Sequence, residues 1–563
     1  MYYIFHLFSF HFFAFSQNNP IKVIHSKIDN IKKNDTLIIS GKLNLFGAYN
    51  YFFLSNEDKF DYRINASINF SYAGFNLPFS YIFSNGRSYA NYNLPSVRTP
   101  KFSTLGFSPS YKWLKGHIGN NRSMNFSEFT YQNIRFKGYG FELSPGNLEF
   151  KFFDGKLTLS DQNDLNFQNK LDVGYDRSAW GMQMGIKKGN NKLFAELFKS
   201  YDIFSPNLNR SVSNKPKANT SLGFHFDVFP YKKYSLSFVY GLSALTLNSF
   251  SDTIDILTGS TVYNMLGLYT KTTSSIYRNA IKSSAGIDYK KFNLKLNYIN
   301  IQKDFRSLGS LLYDNNFKSY TVSSAGNLSK KISYSSEVGI RLDGAIDSLK
   351  NSKHLVLNSS FIYNFNDRIS FNINFTNLKK TSNLYHQNSV TTYFDSISLA
   401  ILNTNLSLAS SFILDDNKTS ILNTMFSYQK SNSIQNDTIN SSNPINNNIY
   451  SVIYNKKLKK SSLNFTLTFI TNKNNFSNSK SIFTNCKFSK ELNKKIRFSN
   501  TFSYNFLKAS YQIRHNILIN NGIEYKIGKN TSINANSKIN FTNNKDKFTL
   551  NNILFDLNFD TKF

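Results

Sequence analysis

The sequence predicts an all-β protein, a single large antiparallel transmembrane β-barrel of roughly 20–26 strands. Three observations predict it. Long runs alternate apolar and polar residues with period two, the signature of a strand with one apolar and one wet face. Many runs reach the ~9–11 residues that a tilted membrane-crossing strand needs, whereas soluble strands have a mode of ~5–6. Aromatic residues make up 16% of the 563-residue chain, as 55 Phe and 34 Tyr, although only 40% of it is apolar. Rings in that proportion are hard to bury in a soluble core. They suit lipid-facing strands and the aromatic rims of a barrel. A low-GC codon bias toward Phe, Asn, Lys and Tyr explains much of the amount, but not the alternation.

Residues 1–16, MYYIFHLFSFHFFAFS, are an apolar run ending on a small residue. They read as a secretory signal peptide cleaved after Ser16, although no Lys or Arg precedes the run as is usual. The run is shorter than the ~20 residues of a spanning helix. Residues 17–35 are polar and read as a short periplasmic lead, with the barrel occupying 36–563. Leu37, Ile39, Leu43 and Leu45 open the alternation. After a polar turn at 55–59, Tyr62, Ile64, Ala66, Ile68, Phe70 and Tyr72 alternate with Arg63, Asn65, Ser67, Asn69 and Ser71. Leu222, Phe224, Phe226 and Val228 alternate with Gly223, His225 and Asp227. From residue 280 onward the pattern is almost unbroken, and Ile281–Tyr289 pairs naturally with Phe292–Ile301.

Two regions break the rhythm. Residues 84–176 hold many of the Gly and Pro residues and read as long loops or as an element folded into the lumen. Residues 429–448, QKSNSIQNDTINSSNPINNN, are polar and unpatterned and read as a long external loop.

The chain ends in strict alternation, with Phe555, Leu557, Phe559, Thr561 and Phe563 on one face. This resembles the C-terminal assembly signal of bacterial outer-membrane barrels, which implies that Phe555, Leu557, Phe559 and Phe563 are read by the barrel-insertion machinery. The closing strand is expected to pair with the first one near Leu37–Tyr49, so that no edge is left open to lipid. Three further stretches are distinctive: Tyr111-Lys112-Trp113 with His117-Ile118-Gly119, Arg122, Met124, Phe126 and Ser127; Gly138–Glu142 with Pro145-Gly146; and Asp304–Ser310 running on to Tyr320-Thr321. With the terminal strand, they resemble a family of large, functionally uncharacterised outer-membrane β-barrels of Bacteroidota. The resemblance implies fold and outer-membrane location, and no catalytic or ligand residue.

Composition narrows the function. The chain has 66 Lys and Arg against 34 Asp and Glu, a formal +32, but no arm or helix concentrates the excess, which suits lipid phosphates at a rim as well as an anionic solute. The single Cys486 excludes an intrachain disulfide and a thiolate metal cluster. It alternates with Ile482, Thr484 and Phe488 as one more apolar-face residue. The eight histidines are dispersed and form no i, i+4 metal pair, and there is neither a nucleophile elbow nor a phosphate-binding loop. No catalytic, cofactor-binding or metal-binding residue can therefore be nominated, and an enzyme is not expected. Arg122, Glu142, Asp304, Arg306 and His117 are a candidate polar network in the lumen, with Arg122 and Arg306 pairing with carboxylates such as Glu142 and Asp304.

The expected function is a pore or transporter for small solutes or lipids. The alternative is a plugged barrel serving as a structural or assembly subunit of an envelope or secretion complex. A basic nucleic-acid binder explains the charge but not the strand lengths or the aromatic end. Expected partners are outer-membrane lipids, the insertion machinery and, on the alternative, other envelope proteins, with no nucleic acid and no cofactor.

Overall fold

Antiparallel pairing runs without interruption from the first described strand, Leu37–Phe52, round to the last, Phe548–Lys562, and these two pair with each other. The structure, a computed structural model, describes residues 37–52, 57–72, 75–84, 104–158, 175–203, 215–254, 267–289, 291–310, 315–344, 352–385, 396–435, 438–473, 478–509, 512–544 and 548–563. The expected signal peptide (1–16) and periplasmic lead (17–35) lie outside these residues. The sheet has 27 hydrogen-bonded segments. Thr104–Phe107 and Ser110–Tyr111 share one position beside Phe75–Ser84, which leaves a closed barrel of 26 strands. That even number lies at the top of the expected range.

Closure satisfies every wall strand on both edges, the condition for spanning lipid. The terminal pairing matches Leu45 with Phe559, Gly47 with Leu557 and Tyr49 with Phe555. Beyond the last ladder residue, the Phe563 N–H donates to the Gly41 carbonyl at 3.1 Å, and the Gly41 N–H donates to the Phe563 carbonyl at 2.8 Å.

In-register pairing carries each face round the barrel. On the outward face Phe238, Ser283, Tyr298, Tyr320, Ile340 and Leu355 are successive neighbours across six strands. The row beneath reads Leu236, Ala285, Leu296, Val322, Val338 and Leu357. Leu296 is 57% exposed and Leu557 55%. Leaving such side chains in water forfeits about 1.5–3 kcal/mol each, so this face belongs against lipid. Tyr289 and Phe292 stack at 5.4 Å at one rim, where Tyr234 and Phe365 are also exposed; aromatic rims of this kind anchor a barrel at the membrane surface. Both ends of the described chain lie at this rim, where the turns are short. The described parts of the long connections, including 124–134, 247–254, 267–274 and 302–310, lie at the other.

Within 84–176, where loops or a lumen element were expected, the described residues include wall strands Leu114–Ser123, Arg135–Leu143 and Leu148–Thr158. They also include one inward segment, 124–134. The expected external loop at 429–448 is corrected. Strands Ser420–Gln435 and Thr438–Lys457 pair along most of their length, and only 436–437 separates them. Polarity misled the reading because these strands rise past the apolar band, where Lys430, Asn446 and Asn448 take outward positions that no longer need to be apolar.

Candidate functional site

Two segments from the long-loop rim, 124–134 and 302–310, turn into the barrel and grip each other. Tyr131 and Gln132 form a two-residue parallel ladder with Gly309 and Ser310. The Ser307 hydroxyl donates to the Thr130 carbonyl at 2.6 Å, and the Ser310 hydroxyl donates to the Glu128 carbonyl at 2.6 Å. We call this pair of segments the clasp.

The clasp is held to the wall first by aromatic packing. Tyr131 is fully buried, stacked on Phe153 at 4.3 Å and on Phe198 at 5.6 Å, and its hydroxyl donates to the Ile134 carbonyl. Phe126 meets Tyr131 edge-on, and Phe129 meets Phe305 edge-on at 5.7 Å. Each ring removes enough apolar surface to contribute about 2–3 kcal/mol. Glycines in the wall make room for these rings. A Cβ on Gly241 would sit 2.4 Å from Phe129 Cβ, and one on Gly223 would sit 2.5 Å from Thr130 Cγ2.

Polar anchors fix its position. Glu196, on strand Asn191–Ile203, points inward and is buried. Its carboxyl accepts from the Ser127 N–H at 3.1 Å, the Ser127 hydroxyl at 2.5 Å, the Thr130 hydroxyl and the Gln183 amide at 2.8 Å. Asn219 holds the second segment. Its Oδ1 accepts from the Leu308 N–H at 3.0 Å, while its amide donates to Ser243 Oγ and to the Ala244 carbonyl. The Ser243 hydroxyl donates in turn to the Arg306 carbonyl at 2.6 Å. Lys282 pairs with Glu128 at 2.9 Å, but both are half exposed, so this contact contributes about 0–1 kcal/mol.

Three members of the candidate network meet. His117 is buried; its Nε2–H donates to Glu142 at 2.7 Å, and its Nδ1 faces Ser108 Oγ at 3.2 Å. Ser108 also accepts from the Arg122 guanidinium at 3.1 Å, and Lys115 donates to Glu142 at 2.9 Å. The expected Arg122–Glu142 ion pair is thus replaced by a relay through Ser108 and His117, because neighbouring strands place the two charges on opposite sides of the histidine. Asp304 and Arg306 lie apart from it in the clasp. Asp304 takes the left-handed backbone of a turn (φ 60°), and Arg306 contributes its carbonyl. Among the described residues no side-chain bond joins these two to each other. Of the terminal residues, Phe555 and Leu557 face outward and are exposed, while Phe559 and Phe563 are half-buried.

Glu196 and Asn219 were missed by sequence reasoning. A signal was present: strand Asn191–Ile203 is apolar on its outward face (Leu193, Leu197) and also on its inward face at Phe194 and Phe198. Two inward phenylalanines flanking an inward carboxylate on one strand favour a covering segment, although single inward phenylalanines such as Phe46 and Phe483 also stand in the uncovered wall. Among the described residues, no group of three or more His, Cys, Asp or Glu is placed to hold a metal ion.

The closed wall, apolar exterior, polar interior and aromatic rim define an integral outer-membrane β-barrel. No protein-family model matches the chain, and no curated protein matches it. Among solved structures it is similar to the FrpB iron transporter from Neisseria meningitidis, with 11% identity over 93% of this chain and 81% of that one and a TM-score of 0.39. The PapC P pilus usher translocation pore gives 10% identity over 93% and 99% of the two chains, with a TM-score of 0.36. The OccAB4 protein from Acinetobacter baumannii gives 9% over 70% and 100%, with a TM-score of 0.29. These likenesses concern general architecture and carry no argument about cargo.

Proposed function

We propose that the protein is a passive pore for small polar solutes, with the conducting path along the strands that the clasp does not touch. One observation carries this reading: among the described residues, the clasp fills the lumen on one side only. Among the described residues, no hydrogen bond or ion pair joins the clasp to strands from Ser352 onward. Strands ~4.8 Å apart and tilted by ~40° give a 26-strand wall a diameter of roughly 50 Å if it is circular. Two connections of this length cannot span that width.

The uncovered wall carries many inward amides and hydroxyls, beside scattered apolar residues such as Phe46, Phe483 and Leu518. Asn44 donates to Asn558 at 2.7 Å, Asn552 donates to Asn50 at 3.1 Å, Asn485 donates to Ser503, and Ser451 meets Thr468. Such a lining offers hydrogen bonds to hydrated solutes and little to acyl chains, which favours polar cargo over lipid. Transport rather than catalysis fits a wall of this kind. The resemblance to large barrels of Bacteroidota supports the location without naming a cargo.

Planar-bilayer recording of the purified protein, with liposome swelling in neutral sugars, tests the proposal. Conductance and sugar entry are expected. Their complete absence sinks it and favours the plugged scaffold, for which co-isolation with envelope proteins from detergent extracts is the corresponding test.

A further inference from the structure

On the five strands from Ser420–Gln435 to Ile496–Ala509, the outward-facing described lysines lie beyond the two ends of the apolar run and not within it. Strand Asn478–Glu491 shows the pattern: Lys480, then Ile482, Thr484, Cys486 and Phe488, then Lys490. Ten residues at ~3.4 Å each, tilted by ~40°, span about 26 Å, close to the ~25 Å apolar band of an outer-membrane barrel. The lysines therefore mark the two membrane surfaces.

At the long-loop surface they cluster. Lys480 stands directly opposite Lys508 on the next strand. One step higher, Lys430 and Lys473 flank Asn446. Lys473, Lys480 and Lys508 are exposed. Like charges directly opposite on a ladder destabilise it, and among the described residues no acid on this face of the five strands offsets them: their one acidic residue, Glu491, lies at the opposite surface. Immediately below lie Phe469, Ile482 and Phe506 in one lipid-facing row. A cationic cluster with no counter-charge among the described residues, above an apolar row, matches an anionic amphiphile with its headgroup at the surface and its chains along the wall.

We propose that this cluster docks an outer-leaflet glycolipid bearing two phosphates. One phosphate lies between Lys480 and Lys508 and the other between Lys430 and Lys473. The four lysines spread over four inter-strand steps, about 19 Å, too wide for a single phosphate to engage them all. The proposal rests on membrane insertion alone and is independent of conduction.

Native mass spectrometry of the full chain in nanodiscs tests it, with a bisphosphorylated glycolipid, a monophosphate phospholipid and a zwitterionic phospholipid as competing probes. The wild type is expected to retain the bisphosphorylated probe preferentially, and added salt should weaken that retention. Lys480→Gln/Lys508→Gln should lower retention on the order of tenfold. Lys480→Arg/Lys508→Arg should preserve it, and Lys456→Gln/Lys490→Gln, at the opposite surface, should leave it unchanged. Equal retention by the wild type and the upper glutamine pair overturns the proposal, as does equal retention of all three lipids. Should the glutamine pair fail to insert, the salt series on the wild type decides, and salt-independent retention overturns it.

Discussion

In strands Asn191–Ile203 and Ala218–Val228, the lumen-facing Phe194, Glu196, Phe198, Asn219, Ser221 and Gly223 are all buried. In strands Asn478–Glu491 and Ile496–Ala509, the lumen-facing positions include Asn485, Lys487, Ser499, Thr501, Ser503 and Asn505, and of these Ser503 alone is buried. Both pairs of strands carry the same outward face and the same antiparallel ladder. What differs is the clasp, which covers the first pair and leaves the second wet. Much of the burial in the first pair of strands therefore depends on the two inward segments, so the two sectors should respond differently to the same kind of damage.

The largest effect is expected at the seam, which lies in the uncovered sector and which, among the described residues, is held by strand pairing alone. Deleting Phe563 removes its backbone bonds to Gly41 and should abolish most of the membrane-inserted, heat-modifiable form on gels. Unchanged insertion would show that the covered sector alone directs closure.

Next comes Glu196→Leu in the covered sector. It strips acceptors from the Ser127 N–H, the two hydroxyls and the Gln183 amide. A buried donor left unpaired costs ~1–3 kcal/mol, so the clasp should lose on the order of 3 kcal/mol or more. Single-channel conductance should rise as the clasp detaches, and an unchanged conductance would mean that the clasp does not bound the path.

A smaller effect sharpens the contrast between sectors. Gly241→Val drives a side chain into Phe129 and should destabilise by about 1–3 kcal/mol. The same change at Gly522 meets only the ends of Asn536 and Ser499 side chains, at 2.6 and 2.7 Å, which can swing into the open lumen. Thermal unfolding in detergent should therefore rank Gly241→Val well below Gly522→Val, and equal shifts would erase the distinction.

The smallest effect is at a short turn. The Asp415 carboxylate accepts from the Thr419 hydroxyl, from the Thr419 N–H at 2.7 Å and from the Ser420 N–H at 2.9 Å. These bonds, that of the Thr419 hydroxyl foremost, hold its pKa below the ordinary carboxylate range. A depressed pKa stabilises the fold above the ordinary carboxylate pKa, and the contribution fades as pH falls through the lowered value. Asp415→Asn should thus lower the unfolding temperature slightly at neutral pH, and the difference should vanish in acid. A difference that persists in acid would mean that the charge is not the cause.

The wall was legible in the sequence because lipid on one side and water on the other impose period two. Runs such as Tyr62–Tyr72 and Phe555–Phe563 could be read residue by residue. Legibility failed wherever one of those two media was missing. Above the apolar band, outward positions such as Lys430, Asn446 and Asn448 need not be apolar, so these strand ends look like loop. Beside the clasp, Phe194 and Phe198 have protein where water was assumed. The stretches around Met124–Ser127 and Asp304–Ser310 stood out for their residues, but their meeting depends on positions far apart in the chain, which no local pattern encodes. The Arg122–Glu142 pairing failed for a smaller reason: one intervening histidine sits between the charges.

The ladder between Tyr131–Gln132 and Gly309–Ser310 has a consequence for the history of the molecule. Eight wall strands separate its two halves in the chain, so its contacts have very high sequence separation and must form late. A slip on any one of those strands moves its partners in steps that flip inward residues outward. Ser307 would then miss Thr130, and Asn219 would miss Leu308. The clasp therefore serves as a checksum on registration, closing only over a barrel whose preceding strands were laid down without error.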